Sequence, residues 1–185
     1  MMTQTLTNWL FEPSHCKVGF SVTHFGITET EGHFTSYRGT VETMSDDFSD
    51  ARVTLTIDVN SIDTLDQQRN NHLLSADFFR ANEYPQITFV STEMRQISPQ
   101  TYKLLGDLTL LGIAKPVELD VVFMGVVPKD PFGYTKAGFK VRGVINRKDW
   151  GMTWNTALDF GGLAVGNDVT ISCQIELMKQ QAVLS

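Results

Sequence analysis

The chain has 185 residues, a formal net charge of −6 and a pI near 5.1, with 42% hydrophobic and 19% charged residues. That balance suits one globular domain with a sizeable core and excludes a compositionally disordered chain. Lys and Arg are not clustered as phosphate neutralisation requires, so nucleic acid is not an expected partner.

The opening, MMTQTLTNWLFEP, carries no Lys or Arg before Lys17 and no continuous apolar run, so it does not read as a secretory signal. No window approaches the length of a transmembrane helix. The expected location is the cytoplasm, or the periplasm if a leader has been trimmed away.

From there, alternation with period two dominates. Cys16, Val18, Phe20 and Val22 share one face. A weaker, glycine-containing strand is expected around Gly32 to Val41. Val53, Leu55, Ile57 and Val59 form the next face, and Ile87, Phe89 and Ser91 follow Pro85. Tyr102, Leu104, Gly106, Leu108 and Leu110 come next, then Val117, Leu119, Val121 and Phe123. Phe139, Val141, Gly143 and Ile145 precede a last strand with Val169, Ile171, Cys173, Ile175 and Leu177 facing one way.

Only Asp66 to Asn82 has helical spacing, through Leu65, Arg69, His72, Leu73 and Ala76, with a second short turn from Asp77 to Phe79. The prediction is an all-β fold of about eight long antiparallel strands, joined mainly by short turns at Ser98–Thr101, Gly112–Pro116 and Pro128–Gly133. Such strands stack as a sandwich or curl into a barrel, and a short helical insertion naturally caps one barrel end. Interior glycines such as Gly19, Gly106 and Gly143 fit the bends of a barrel wall. No repeat or linker divides the chain, so a single domain over 1–185, with its core about 9–178, is expected.

Catalytic and metal motifs are missing. There is no nucleophile elbow, no phosphate-binding glycine loop and no His-Glu-x-x-His helix. Cys16 and Cys173 form no C-x-x-C pair, and read as two reduced thiols or one disulfide between the first and last strands. Among His15, His24, His33 and His72 no spacing matches a ligand set, and His15 and Cys16, adjacent on a strand, point to opposite faces. No metal site is expected. Arg69 and His72 share a helical face near Asp77, which fits pinning of the insertion to a rim, contact with a polar head, or acid–base chemistry. The aromatics Phe20, Phe34, Phe89, Phe123 and Phe139 share the inward phase, and Trp150, Met152 and Trp154 follow in WGMTW. A sandwich would bury them as core; a barrel of this strand number could enclose one small apolar ligand.

Several segments in order carry a resemblance: FEPSHCKVGFSVTHFGITETEGHF, TIDVNSIDTLDQQRNNHLLSADFFRANEYPQITFVST, GDLTLLGIAKPVELDVVF and AGFKVRGVINRKDWGMTWN. From about Trp9 to Leu177 the chain resembles the YceI-like family of bacterial polyisoprenoid-binding proteins. The resemblance implies a lipocalin-like barrel with an apolar tunnel for an isoprenoid, a quinone or a fatty-acyl compound. The expected role is non-catalytic binding or transport of such a lipid, with no other cofactor. Phe20, Phe34, Phe89, Phe123, Phe139, Met152 and Trp154 would then contact the chain of the ligand. Arg69, His72 and Arg147 would meet its polar or anionic head, each being able to donate hydrogen bonds at a rim.

Two departures stand out. Many members carry a secretory signal, and this chain resembles the cytoplasmic type. ALDFGGLAVGND places Asp159 and Phe160 where a more acidic or hydroxylated pair is expected, which bears on ligand choice if the loop borders the tunnel. Two other readings stay open: a structural or carbohydrate-binding module with a filled interior and exposed Trp150 and Trp154, and an enzyme acting on an amphiphile through His72 and Asp77. An open edge between first and last strands, or an apolar outer patch, would allow a homodimer.

Overall fold

The structure, a computed structural model, describes residues 5–181. The strands are β1 (Thr7–Phe11), β2 (Lys17–His24), β3 (Thr28–Phe34), β4 (Tyr37–Thr43), β5 (Arg52–Asp58), β6 (Ile62–Asp63), β7 (Gln86–Ser98), β8 (Thr101–Leu110), β9 (Ile113–Val127), β10 (Lys136–Asn146) and β11 (Val165–Lys179). All pair antiparallel in one sheet. The ring β1-β4-β5-β7-β8-β9-β10-β11 returns to β1, which makes a closed barrel of eight strands. The long strand β11 serves two neighbours, pairing with β1 near Leu177 and with β2 from Gln174 back to Val165.

The inward phase read from the alternation is the one observed: Val18, Ile57, Leu104, Leu119, Phe139 and Leu177 all belong to the buried core. The details differ in four places. The expected strand from Gly32 to Val41 is two strands, β3 and β4, separated at Thr35 and Ser36. The strand β1 was not foreseen, because its five residues include an outward Leu10 that blurs the alternation. The turn between β8 and β9 is only Leu111 and Gly112, both with positive φ, and Pro116 lies inside β9. Proline offers no N–H, and the β9–β10 ladder begins only at Asp120. Finally, β1 pairs with β11 through Trp9, Leu10 and Phe11, so the first and last strands leave no open edge between them for a second copy to use.

Among the described residues α1 (Gln67–Leu74) is the one α-helix. It is shorter than the expected Asp66–Asn82. Asp66 caps it by accepting from the Arg69 N–H at 2.9 Å, and Ser75 ends it, donating its hydroxyl to His72 O at 2.6 Å. The remainder is turns, with Arg80 at φ 48°. Leu65 stands 90% exposed ahead of the helix and is not on its packed face.

Two ends result. At one, the β4–β5 loop folds Phe48 into the barrel, where it meets Trp9, Phe123 and Phe139 at ring distances of 5.2, 5.4 and 5.0 Å. Asp50 holds this loop: the hydroxyls of Thr43 and Ser45 and the N–H groups of Met44 and Ser45 all donate to its carboxylate. Burial would raise the Asp50 pKa, but these four donors outweigh it and hold the carboxyl well below its ordinary range. At the other end, residues of the β2–β3 turn, α1 and the 147–164 segment line an opening.

Candidate ligand cavity

Behind that opening lies a cavity of about 610 Å³, within the ~300–1,000 Å³ typical of small-molecule sites. It exists because large side chains lie against the wall instead of crossing it. A Cβ on Gly32 would fall 2.4 Å from Phe20 Cζ, one on Gly39 2.6 Å from Phe11, one on Gly106 2.4 Å from Phe89 Cζ, and one on Gly143 2.5 Å from Leu119 Cδ2. In each case the glycine stands opposite or diagonal to the bulky residue on the paired strand. Each ring or branch rests in the space a missing side chain leaves, and the lumen stays open. A sandwich core would have filled it.

The floor is the aromatic plug. Phe123 and Phe139 stack there at 5.1 Å and 27°, with Phe48 against both. A void of about 60 Å³ sits at this end and shares Phe11, Val53, Leu104, Val141 and Ile175 with the main cavity.

Of the candidates named from sequence, Phe20, Phe34, Phe89, Met152, Trp154, Arg69, His72 and Arg147 border the main cavity. Phe123 and Phe139 do not: the structure puts them in the plug. Their inward phase was right, but phase fixes a face and not a depth. Trp150 is 3% exposed and donates its indole N–H to Leu108 O at 3.0 Å, so the exposed pair needed by a carbohydrate-binding reading is missing. Sequence reasoning missed Phe11, Phe25, Phe78 and Phe79 on the wall. The FF pair was visible, but nothing in its spacing said that a turn would aim it inward.

The polar groups gather at the mouth. Arg69 Nε donates to Thr64 Oγ1 at 2.8 Å and Nη2 to Thr64 O at 2.6 Å, fastening α1 to the rim. His72 Nε2 lies 2.8 Å from Asp77 Oδ2, and its ring meets Trp154 and Phe78 edge to face at 4.7 and 5.0 Å. These contacts fit the pinning role. Arg147 lies deeper, 2% exposed, donating from Nε to Gly166 O and from Nη1 to Met152 O, each at 2.8 Å. Its Nη2 has no hydrogen-bond partner. Burial lowers its pKa from the ordinary guanidinium value. Asp159 and Phe160 are exposed, yet Leu158, Ala164 and Val165 of the same segment line the cavity, so this loop does border it.

Cys16 and Cys173 are both free thiols. Cys173 faces the cavity, where burial pushes its thiol up to about 11. Cys16 Sγ exchanges hydrogen bonds with the Glu176 backbone at 3.3 Å, and burial raises its pKa too. Among the described residues no group of three His, Cys, Asp or Glu side chains is placed to hold a metal ion, and no helix is long and apolar enough to cross a membrane.

Comparison with known proteins places this barrel. The family model described as the YceI-like domain matches residues 9–177. The chain belongs to the YceI-like family. The UPF0312 protein SAS2572 of Staphylococcus aureus strain MSSA476 is 36% identical over 171 residues, which cover 92% of this chain and 97% of that protein. Among solved structures, the Campylobacter jejuni YCEI protein is 29% identical, with a TM-score of 0.72 over 86% of this chain and 90% of its own. BcnA of Burkholderia cenocepacia shares the fold at 24% identity and a TM-score of 0.77, over 90% of this chain and 98% of that one. A domain from Saccharophagus degradans described as polyisoprenoid binding shares it at 12% identity and a TM-score of 0.67, over 93% of this chain and 98% of that one. For this YceI-like chain, then, the eight-stranded antiparallel barrel with a short helix over its mouth is the family's fold.

Proposed function

We propose that this YceI-like protein binds one long-chain amphiphile, such as a polyisoprenoid, quinone or fatty-acyl compound, and holds it without transforming it. The observation that carries this reading is the open lumen, kept clear by side chains seated over glycines. An empty apolar space of this size is a loss to the barrel unless something fills it, because its lining forgoes packing contacts. The description of the Saccharophagus degradans domain as polyisoprenoid binding supports a chain-like ligand. The apolar tail runs down the lumen past Phe20, Phe34 and Phe89 toward the plug, and the polar end stays at the mouth near Arg69, His72 and Arg147.

Two features support holding over catalysis. Cys173, the thiol on the wall, has a raised pKa, the opposite of what a nucleophile needs. His72 is engaged by Asp77 and packed edge-on against Phe78 and Trp154, which also meet each other, an arrangement that orders the rim. Displacement of a fluorescent fatty probe by unbranched and prenyl chains of increasing length tests the reading. Affinity should rise with each added carbon until the lumen is full and then level off. Affinity independent of chain length, or no displacement by any chain, would refute it.

A further inference from the structure

The charged side chains on the cavity wall are two arginines, Arg69 and Arg147, and the lining also includes His24 and His72. No Asp, Glu or Lys is among the described residues that line it, although the whole chain carries a net charge of −6. Arg69 is exposed in the outer rim and directs two of its five donors to Thr64. Arg147 is 2% exposed, forms no ion pair among the described residues, and leaves Nη2 without an acceptor. Buried charges in folded proteins are ordinarily paired, and a buried donor left empty calls for a partner. The face of the Phe78 ring covers it, with the guanidinium carbon 6.0 Å from the ring centre, and Phe78 in turn packs on Trp154 at 5.3 Å. Two backbone carbonyls fix the guanidinium plane but neutralise no charge.

We propose that the cavity is built for a long-chain monoanion, a fatty carboxylate, whose head displaces the Phe78 ring from over the guanidinium and accepts from Arg147 Nη2. The inference rests on the lumen being a chain-binding site. Arg147 is the buried one of the two arginines, and its single charge matches one carboxylate; Arg69, also without an ion pair, is exposed and keeps its charge hydrated at the rim. A phosphate monoester, carrying about −1.5 to −2 at neutral pH, would leave excess negative charge in an apolar pocket.

The test measures dissociation constants of hexadecanoate, hexadecanol, hexadecanamide and farnesyl monophosphate on the full chain, for the wild type, Arg147→Gln and Phe78→Ala. A charge-assisted hydrogen bond to a buried arginine should make hexadecanoate about 10- to 100-fold tighter than the alcohol. Arg147→Gln should erase that preference, weakening hexadecanoate by a larger factor than hexadecanol. Phe78→Ala, which keeps Arg147 and removes its cover, should preserve or widen the preference; this variant stands in should Arg147→Gln fail to fold. A carbon-13 label on the carboxyl gives a second readout, because a head paired with arginine stays ionised well below the pH at which the free acid titrates. Equal affinity for acid and alcohol, preference for the phosphate, or a preference that survives Arg147→Gln would each overturn the assignment. Tight binding of the neutral chains would still leave the lumen a lipid site. Failure of all four ligands would strike the proposed function itself.

Discussion

Gly32→Ala tests the device that keeps the lumen open. The added Cβ would stand 2.4 Å from Phe20 Cζ and 2.9 Å from Phe20 Cε1 and Thr64 Cγ2, where ordinary contact begins near 3.4 Å. Its neighbours are all side chains and the glycine has no positive φ, so the backbone can accept alanine. The Phe20 ring must therefore move by about 1 Å, and the cavity it borders offers the room. Because the ring enters empty space, the stability loss should fall at the low end of the ~1–3 kcal/mol typical of overpacking. Its cost appears in binding instead. Room for one or two methylenes disappears at about 0.8 kcal/mol each, so the longest ligand that fills the wild-type lumen should bind about 4- to 15-fold more weakly. Shorter chains should bind as before. Probe displacement over a chain-length series, with thermal unfolding alongside, reads both quantities. An equal loss at every length, or no loss at any, would refute the argument that the glycines make the cavity.

Other consequences follow from where the residues sit. Phe20→Asp should cut ligand affinity more than 100-fold with a modest change in melting temperature, since it sets a carboxylate against the bound tail. Phe123→Asp should instead lower the melting temperature sharply, because Phe123 stacks in the plug and not on the ligand path; comparison by calorimetry and titration checks both. Cys173, with its thiol pushed up to about 11, should react slowly with a small neutral maleimide at pH 7.5 and more slowly still when the cavity is filled, as mass spectrometry would show. Lys136 Nζ lies 2.8 Å from Glu12 Oε2 and 3.3 Å from Glu176 Oε1. The hydrogen bond to Lys136 outweighs burial and holds the Glu12 carboxyl below its ordinary 4.5. A depressed carboxyl stabilises the fold above its ordinary value and loses that contribution as pH falls through the folded one. Lys136→Met should thus lower the melting temperature at pH 7 and leave it nearly unchanged at the acid end of a pH series.

Period-two alternation made most of the barrel legible, because inward and outward residues differ in hydrophobicity wherever one face meets a lumen and the other water. It located Phe20, Phe34 and Phe89 on the wall. It could not separate Phe89 on the cavity from Phe123 in the plug, since both share one phase and differ only in height along the strands. Height depends on stagger between strands and on the β4–β5 loop, which folds Phe48 inward from a position with φ 62° and no periodic signal. The glycines could be noted one by one, but their pairing with Phe11, Phe20 and Phe89 needs the cross-strand register. Arg147 was visible as a residue, and its burial was not: two backbone carbonyls, Met152 O after the turn that follows β10 and Gly166 O at the start of β11, hold the guanidinium inward. Resemblance to the family named the fold and a ligand class. The geometry added where the lumen ends and which charge stands in it.

The most direct test of the central claim is extraction of the purified protein with denaturing solvent, followed by mass spectrometry of the extract and a repeat after lipid add-back. A chain amphiphile recovered near one per protein, in either sample, is the expected result. Empty extracts from both would contradict the account, since the lumen would then hold no chain under conditions chosen to fill it.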